Sequence, residues 1–281
     1  MTDQEKDLEG NFYNRVAGDG KISPLTFLQA SGLPVYRLRM QLWMAVGLFD
    51  WVAKELYSEV NFIYADHCAV NRPEFAAGHI CEKLIRSRFP TTSASTPGQF
   101  LPFFVHCQGA KVYVDQRTGS RQCPGQVDVA LDFAVDLVKG GVKPNLITVL
   151  SPYAANVQLV VKHRKLPRYA ALTGMEPAST IDAFQGQEND IIIVIMGTSF
   201  PTPGPGFTSD SHRLNVLLIR QRCGLVVVGD VDIRGPSGNA GEGKGNLKAG
   251  RNGKEQVKGK GKGGKAEEKT FIVISESREK S

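Results

Sequence analysis

The chain has 281 residues, 41% of them hydrophobic, room for one ordinary domain with extensions or for two small ones, and no run of 18 apolar residues offers a membrane span. Its formal charge of +6 is concentrated: residues 244–265 hold eight Lys or Arg against one acid, Glu255, a net of +7, which leaves about −1 for all the rest. A bulk-charge argument for binding a polyanion therefore rests on that stretch, and the remainder is near neutral.

In chain order, residues 1–30 show little periodicity; the acidic, polar start MTDQEKDLEG is no secretory signal, and the stretch reads as irregular or weakly helical. Residues 42–56, LWMAVGLFDWVAKEL, carry apolar side chains at helical spacing. A run rich in turn residues follows, and residues 91–98, TTSASTPG, form a loop. FLPFFVHC and KVYVD predict strands. GQVDVALDFAVDLVKGG puts Val127, Ala130, Leu131, Ala134, Val135 and Val138 on one helical face ahead of a Gly-Gly stop. Next come a strand at 146–150, the turn SPY, a helix at 154–163 and a strand at 191–196. After the loop SFPTPGPGFTSDS there is a helix, HRLNVLLIRQR, and a strand, GLVVVGD. Apolar strands alternating with helices predict a parallel sheet covered on both faces, with ligands at the carboxyl ends of the strands. From Gly235 the composition collapses to Gly, Lys, Asn and Glu, which predicts disorder to about 268; TFIVI, 270–274, is an apolar island after it, a strand or a peptide-like motif.

Two stretches carry chemistry. TIDAFQGQENDIIIVIMG, 180–197, crowds Thr180, Asp182, Gln185, Gln187, Glu188, Asn189 and Asp190 around Gly186, directly ahead of a buried strand. Such a crowd either satisfies its own backbone or holds a polar ligand. HRLNVLLIRQRCGLVVVGD, 212–230, flanks an apolar helix with Arg213, Arg220 and Arg222, either surface arginines with snorkelling stems or phosphate-reaching forks. The five scattered cysteines, Cys68, Cys81, Cys107, Cys123 and Cys223, form no C-x-x-C and fit a reducing intracellular compartment, cytoplasm or nucleus. His67, Cys68, His79 and Cys81 match no common zinc spacing, so no metal ligand is assigned.

T-x-D-x-F-Q-G-x-E-x-D followed by R-L-N-V-x-L-x-R-x-R resembles motifs V and VI of superfamily 1 helicases of the regulator-of-nonsense-transcripts type, a branch that includes Okazaki-fragment and tRNA-intron-related helicases. ITVLSPYAANVQLV, 147–160, resembles their motif IV, and the three stand in the family's order. The resemblance covers about residues 31–234 and implies the second, C-terminal RecA-like domain: a three-layer α/β/α parallel-sheet domain of the P-loop NTPase class. The organisation it implies is an N-terminal segment 1–30, the domain 31–234 and a disordered tail 235–281.

In that family two RecA-like domains clamp ATP with Mg2+ while single-stranded RNA or DNA crosses both. Carried over, Glu188 meets the nucleotide sugar, the Gly186 backbone approaches the nucleotide, and Thr180 bonds a nucleic-acid phosphate. Arg220 matches the arginine finger, and Ser151 and Tyr153 lie near the nucleic-acid path. The phosphate-cradling loop and the magnesium-holding acidic motif belong to the first domain, and the nearest match here, GNAGEGKG at 238–245, lacks the Ser/Thr and the strand–turn–helix context. The family's Q-x-R-M matches QLWM, with Gln41 and Met44 in place but Trp43 where the arginine belongs; Tyr57, fourteen residues on, supports this register over one that uses Arg39. Ile219 stands where threonine is usual. Two expectations follow: the C-terminal half of an ATP-dependent helicase that needs a separate first domain and is inactive alone, or a non-catalytic nucleic-acid-binding or scaffold protein derived from one.

Overall fold

The computed structural model describes residues 24–90, 95–209, 211–233 and 272–275. The chain divides into two compact units, Met1–Arg39 and Met40–Ser281. In the first, α1 (Pro24–Ala30) starts on a proline, whose fixed φ suits a first helical turn, and runs into an extended segment.

The second unit is built on a parallel sheet. Its strands are β3 (Phe103–His106), β6 (Ile147–Ser151), β7 (Ser179–Thr180), β8 (Asn189–Ile195), β9 (Gln221–Gly229) and β10 (Ile272–Ser275), in the spatial order β10-β3-β9-β8-β6-β7. Two small pairs lie outside it: β1 (Met40–Gln41) with β2 (Ile63–Tyr64), parallel, and β4 (Tyr113–Val114) with β5 (Arg121–Gln122), antiparallel. Among its described residues are the α-helices α2 (Asp50–Leu56), α3 (Ala76–Arg88), α4 (Pro124–Lys139), α5 (Ala154–His163) and α6 (Ser211–Leu218).

The strand sequences explain the burial. In β8 every residue from Asp190 to Ile195 is buried, and all five residues of β6 are buried, as continuous β-branched runs covered on both faces require. The connections β3–α4–β6 and β6–α5–β7 step toward one edge, and β8–α6–β9 steps the other way. Right-handed crossovers therefore put α4 and α5 on one face and α6 on the other. This is the parallel sheet covered on both faces that the strand–helix alternation predicts, and the RecA-like α/β arrangement that the resemblance implies.

Three elements differ from the sequence expectation. The helical pattern at 42–56 folds as helix only over α2, because the preceding backbone is engaged elsewhere. The Gln41 side chain accepts from the N–H groups of Leu42 and Trp43, Ala45 N donates to Arg222 O and Val46 N donates to Cys68 O. Helix α3 lies inside the stretch expected to be turn-rich; its buried face is Ala77, Gly78, Cys81 and Ile85, small side chains except for the isoleucine. Gly78 is required there, since a side chain would run into the Cys223 carbonyl and the Phe100 ring. Helix α6 stops at Leu218, and β9 begins at Gln221, earlier than the apolar run suggests. The apolar island at 270–274 contributes β10, paired in parallel with β3. The remainder of the tail, with GNAGEGKG, and residues 1–23 lie outside the described residues.

Candidate nucleotide and nucleic-acid sites

The candidate residues fall at opposite ends of the sheet. Glu188 immediately precedes β8 and Arg220 immediately precedes β9, so both stand at the amino ends of adjacent strands. The ladder fixes them: Asn189 is in register with Gln221, and Asn189 N donates to Arg220 O at 3.1 Å. Glu188 is exposed and Arg220 half-buried. Arg220 Nε donates to Val216 O at 2.9 Å, which steers the guanidinium back along α6. Burial pushes the Arg220 pKa down from its ordinary value, and the nearby Glu188 carboxylate opposes that shift. The two residues are thus electrostatic neighbours, although they are far apart in the sequence. Gly186, in the turn before Glu188, has φ +82, and the space in front of its Cα is open. A left-handed turn residue with nothing against it leaves backbone accessible.

Gln41 joins this end. It is 9% exposed, and its Oε1 accepts the Leu42 N–H at 2.9 Å and the Trp43 N–H at 3.1 Å. That turn is bound to β9 by the bond from Ala45 N to Arg222 O, 2.8 Å. Trp43, half-buried against the core, lies in this turn, two residues before the Ala45 that is bonded to β9. Tyr57 is tied to α6, since its hydroxyl accepts the Asn215 amide at 2.6 Å. One ion pair was not read from the sequence: Arg222 Nη1 lies 3.2 Å from Asp190 Oδ1, without hydrogen-bond geometry. Burial raises the Asp190 pKa, Arg222 opposes the rise and Glu188 adds to it.

At the carboxyl end, Ser151 of β6 pairs in register with Thr180 of β7. Ser151 is 1% exposed, and its Oγ accepts the Tyr153 N–H at 3.3 Å and the Asn156 amide at 3.4 Å. It shapes the turn from within. Thr180 is half-buried and its Oγ1 accepts the Ala183 N–H at 3.3 Å, closing the start of the polar loop. Tyr153, also half-buried, opens α5 with the Arg121 guanidinium 5.1 Å over its ring. Asn156 receives the Cys123 N–H on its Oδ1 at 2.8 Å, holding α5 to the start of α4. Asn156 and Arg121 were not singled out in the sequence; an Asn in the first turn of an apolar helix was the available signal for the former, and Arg121 had none.

No cation-binding set was assigned from sequence. Among the described residues one group brings potential ligand atoms within 4.8 Å of one another: His106, Asp230 and Asp232, where β3 and β9 end. Their lone pairs serve the loop backbone. His106 Nδ1 accepts the Val231 N–H at 3.2 Å, and the Asp230 oxygens accept the N–H groups of Phe200 at 2.8 Å and Asp232 at 2.9 Å. His67 is bonded to the Leu42 carbonyl and His79 to the Val70 carbonyl at 2.8 Å. All five cysteines are buried thiols outside any disulfide, and burial raises Cys123 to about 11 and Cys223 to about 12. No helix among the described residues is long and apolar enough to cross a membrane.

The sheet order and the two clusters define a RecA-like domain with polar sites at both ends of its strands. The family profile described as "AAA domain" matches residues 21–232, and the chain belongs to that family. Over 133 residues, 47% of the chain, it is 33% identical to "Regulator of nonsense transcripts 1" of Caenorhabditis elegans. Over 123 residues, 43% of the chain, it is 37% identical to "DNA polymerase alpha-associated DNA helicase A" of Saccharomyces cerevisiae. Over 110 residues, 38% of the chain, it is 32% identical to "Helicase required for RNAi-mediated heterochromatin assembly 1" of Schizosaccharomyces pombe. The matched parts span 12%, 17% and 11% of those proteins' own lengths. The domain is superfamily 1 helicase-like.

Proposed function

We propose that this domain is the C-terminal half of an ATP-dependent helicase motor that works on single-stranded RNA or DNA inside the cell, in cytoplasm or nucleus. The observation that carries the proposal is the placement of Glu188 and Arg220 immediately ahead of the adjacent strands β8 and β9, close enough for their charges to interact, beside the open turn at Gly186. In this reading ATP with Mg2+ is held chiefly by a separate first RecA-like domain. From this side, Arg220 reaches the transferring phosphoryl group as the arginine finger, and Glu188 bonds the nucleotide sugar. The Gly186 backbone lies against the nucleotide, and Gln41 holds the turn that completes the pocket wall. At the other end Thr180 and Tyr153 contact the strand, with Ser151 keeping their turn in shape. The buried thiols fit a reducing compartment.

A second reading has one specific observation in its favour. Trp43 occupies the turn where the family has an arginine, and an indole offers one donor in place of a planar fork. On that reading the domain binds nucleic acid without driving hydrolysis, and the basic stretch at 244–265 supplies most of the affinity.

Fluorescence anisotropy with a labelled single-stranded oligonucleotide, across a salt series, separates the two. The motor reading expects the chain with the eight Lys and Arg of residues 244–265 changed to Gln to keep binding and Thr180→Ala to weaken binding about fivefold, the worth of one net hydrogen bond. Loss of all binding on neutralising that basic stretch, with β10 left in place, would favour the scaffold.

A further inference from the structure

The loop from β8 to α6 spans residues 196–210, and its described part is tied down at every stage. Gly197 N donates to Gln126 Oε1 at 2.9 Å, and Gln126 Nε2 returns a bond to Thr198 O at 2.7 Å. Phe200 N donates to Asp230. Arg121 donates to Gly204 O at 2.6 Å and to Pro203 O at 3.3 Å, and Phe207 N donates to the Tyr153 hydroxyl at 3.1 Å. At Gly206, φ +54, a side chain would overlap the Arg121 guanidinium and the Tyr153 hydroxyl, so loop backbone is pressed directly on that pair.

The rings continue the path. The Arg121 guanidinium lies 5.1 Å over Tyr153, Tyr153 meets Phe207 edge-on at 6.4 Å and 67°, and the Arg213 guanidinium lies 4.7 Å over Phe207. Arg213 stands in the first turn of α6, and the last turn leads into Arg220, whose Nε is bonded to Val216 O. Cation–π and edge-on contacts are directional, so a shift of one ring is felt by the next. A short helix gripped at its first turn moves as one body.

We propose that Phe207 is a positioning residue that couples the strand-contacting turn at Tyr153 to α6, so that an occupied strand path sets where Arg220 stands. The inference rests on the strand site proposed above. It assigns to the Pro/Gly loop a role no motif gave it: a link between the two ends of the sheet.

Hydrogen exchange on the full chain, with and without a saturating single-stranded uridine oligonucleotide, tests it. Binding is expected to slow exchange at residues 152–156 and at 211–220 together. Phe207→Leu keeps an apolar side chain but offers neither quadrupole nor ring edge. In that variant binding and protection at 152–156 persist, while oligonucleotide-induced protection at 211–220 falls at least fivefold. Phe207→Tyr restores it. A merely structural role would instead speed exchange at 211–220 in the unbound variant and leave the binding-induced change intact, and that result overturns the proposal. Wild-type protection at 152–156 with none at 211–220 also overturns it and leaves the strand site standing. Absence of oligonucleotide binding overturns the strand site and the coupling together.

Discussion

Asp190 shows how a single side chain can report on its surroundings. It sits at the start of β8, buried, 3.2 Å from Arg222 and two residues from Glu188. Burial raises its pKa above the ordinary 3.8 more than Arg222 lowers it. The folded protein therefore holds this proton more tightly than the unfolded chain does. The residue's contribution to stability is greatest below pH 3.8 and declines as pH rises through the raised value. Asp190→Asn removes that dependence. Thermal unfolding of both proteins over a pH series should show the variant gaining on the wild type as pH rises from 3.8 through that window, and a constant difference would contradict the assignment. The charge on Arg220 has a different logic. A guanidinium keeps its proton at any working pH, so its partial burial raises the cost of leaving it unpaired and favours an anionic partner.

At the scale of elements, α4 is the main bolt of the domain. Leu137 on its buried face is fully enclosed, with Leu131 and Ala134 beside it. Leu137→Ala should cost about 2–5 kcal/mol in denaturant unfolding, the range for emptying a closed leucine site. A cost under about 1 kcal/mol would mean the face repacks. This helix was legible because its apolar positions recur with the helical period, and β6 and β8 were legible as unbroken β-branched runs. Helix α3 was not, because its inward face uses Ala77, Gly78 and Cys81, chosen for close approach to β9 more than for hydrophobicity. The 42–56 pattern misled for the opposite reason: its apolar residues are core residues, but distant partners at Arg222 and Cys68 take the backbone bonds a longer helix would use. Helix α6 ends early because the residues after Leu218 are drawn into the β9 ladder against Asn189.

Across the whole molecule, the candidate site residues divide between the two ends of the sheet, and Arg220, expected within a helix, falls between α6 and β9. Thr180 and Tyr153 stand at or just beyond carboxyl ends of parallel strands, where ligands commonly gather, whereas Glu188 and Arg220 stand at amino ends. Motif order carries no information about which end a loop returns to; strand register does. The supporting shell was equally hidden. Arg121 touches a loop some eighty residues away, and the His106–Asp230–Asp232 cluster forms only when β3 and β9 become neighbours. A sheet with one polar cluster at each end, joined by a gripped loop, can let events at one end be felt at the other, as the proposed coupling requires.

The central claim is that Arg220 completes a nucleotide site. It is tested most directly by fusing this chain to a first RecA-like domain that carries a phosphate-cradling loop and measuring ATP turnover with and without single-stranded RNA. The account predicts strand-stimulated hydrolysis that Arg220→Ala lowers about 1,000-fold or more, as for other arginine fingers, with the fold and strand binding kept. Strand-stimulated turnover that survives Arg220→Ala would contradict it.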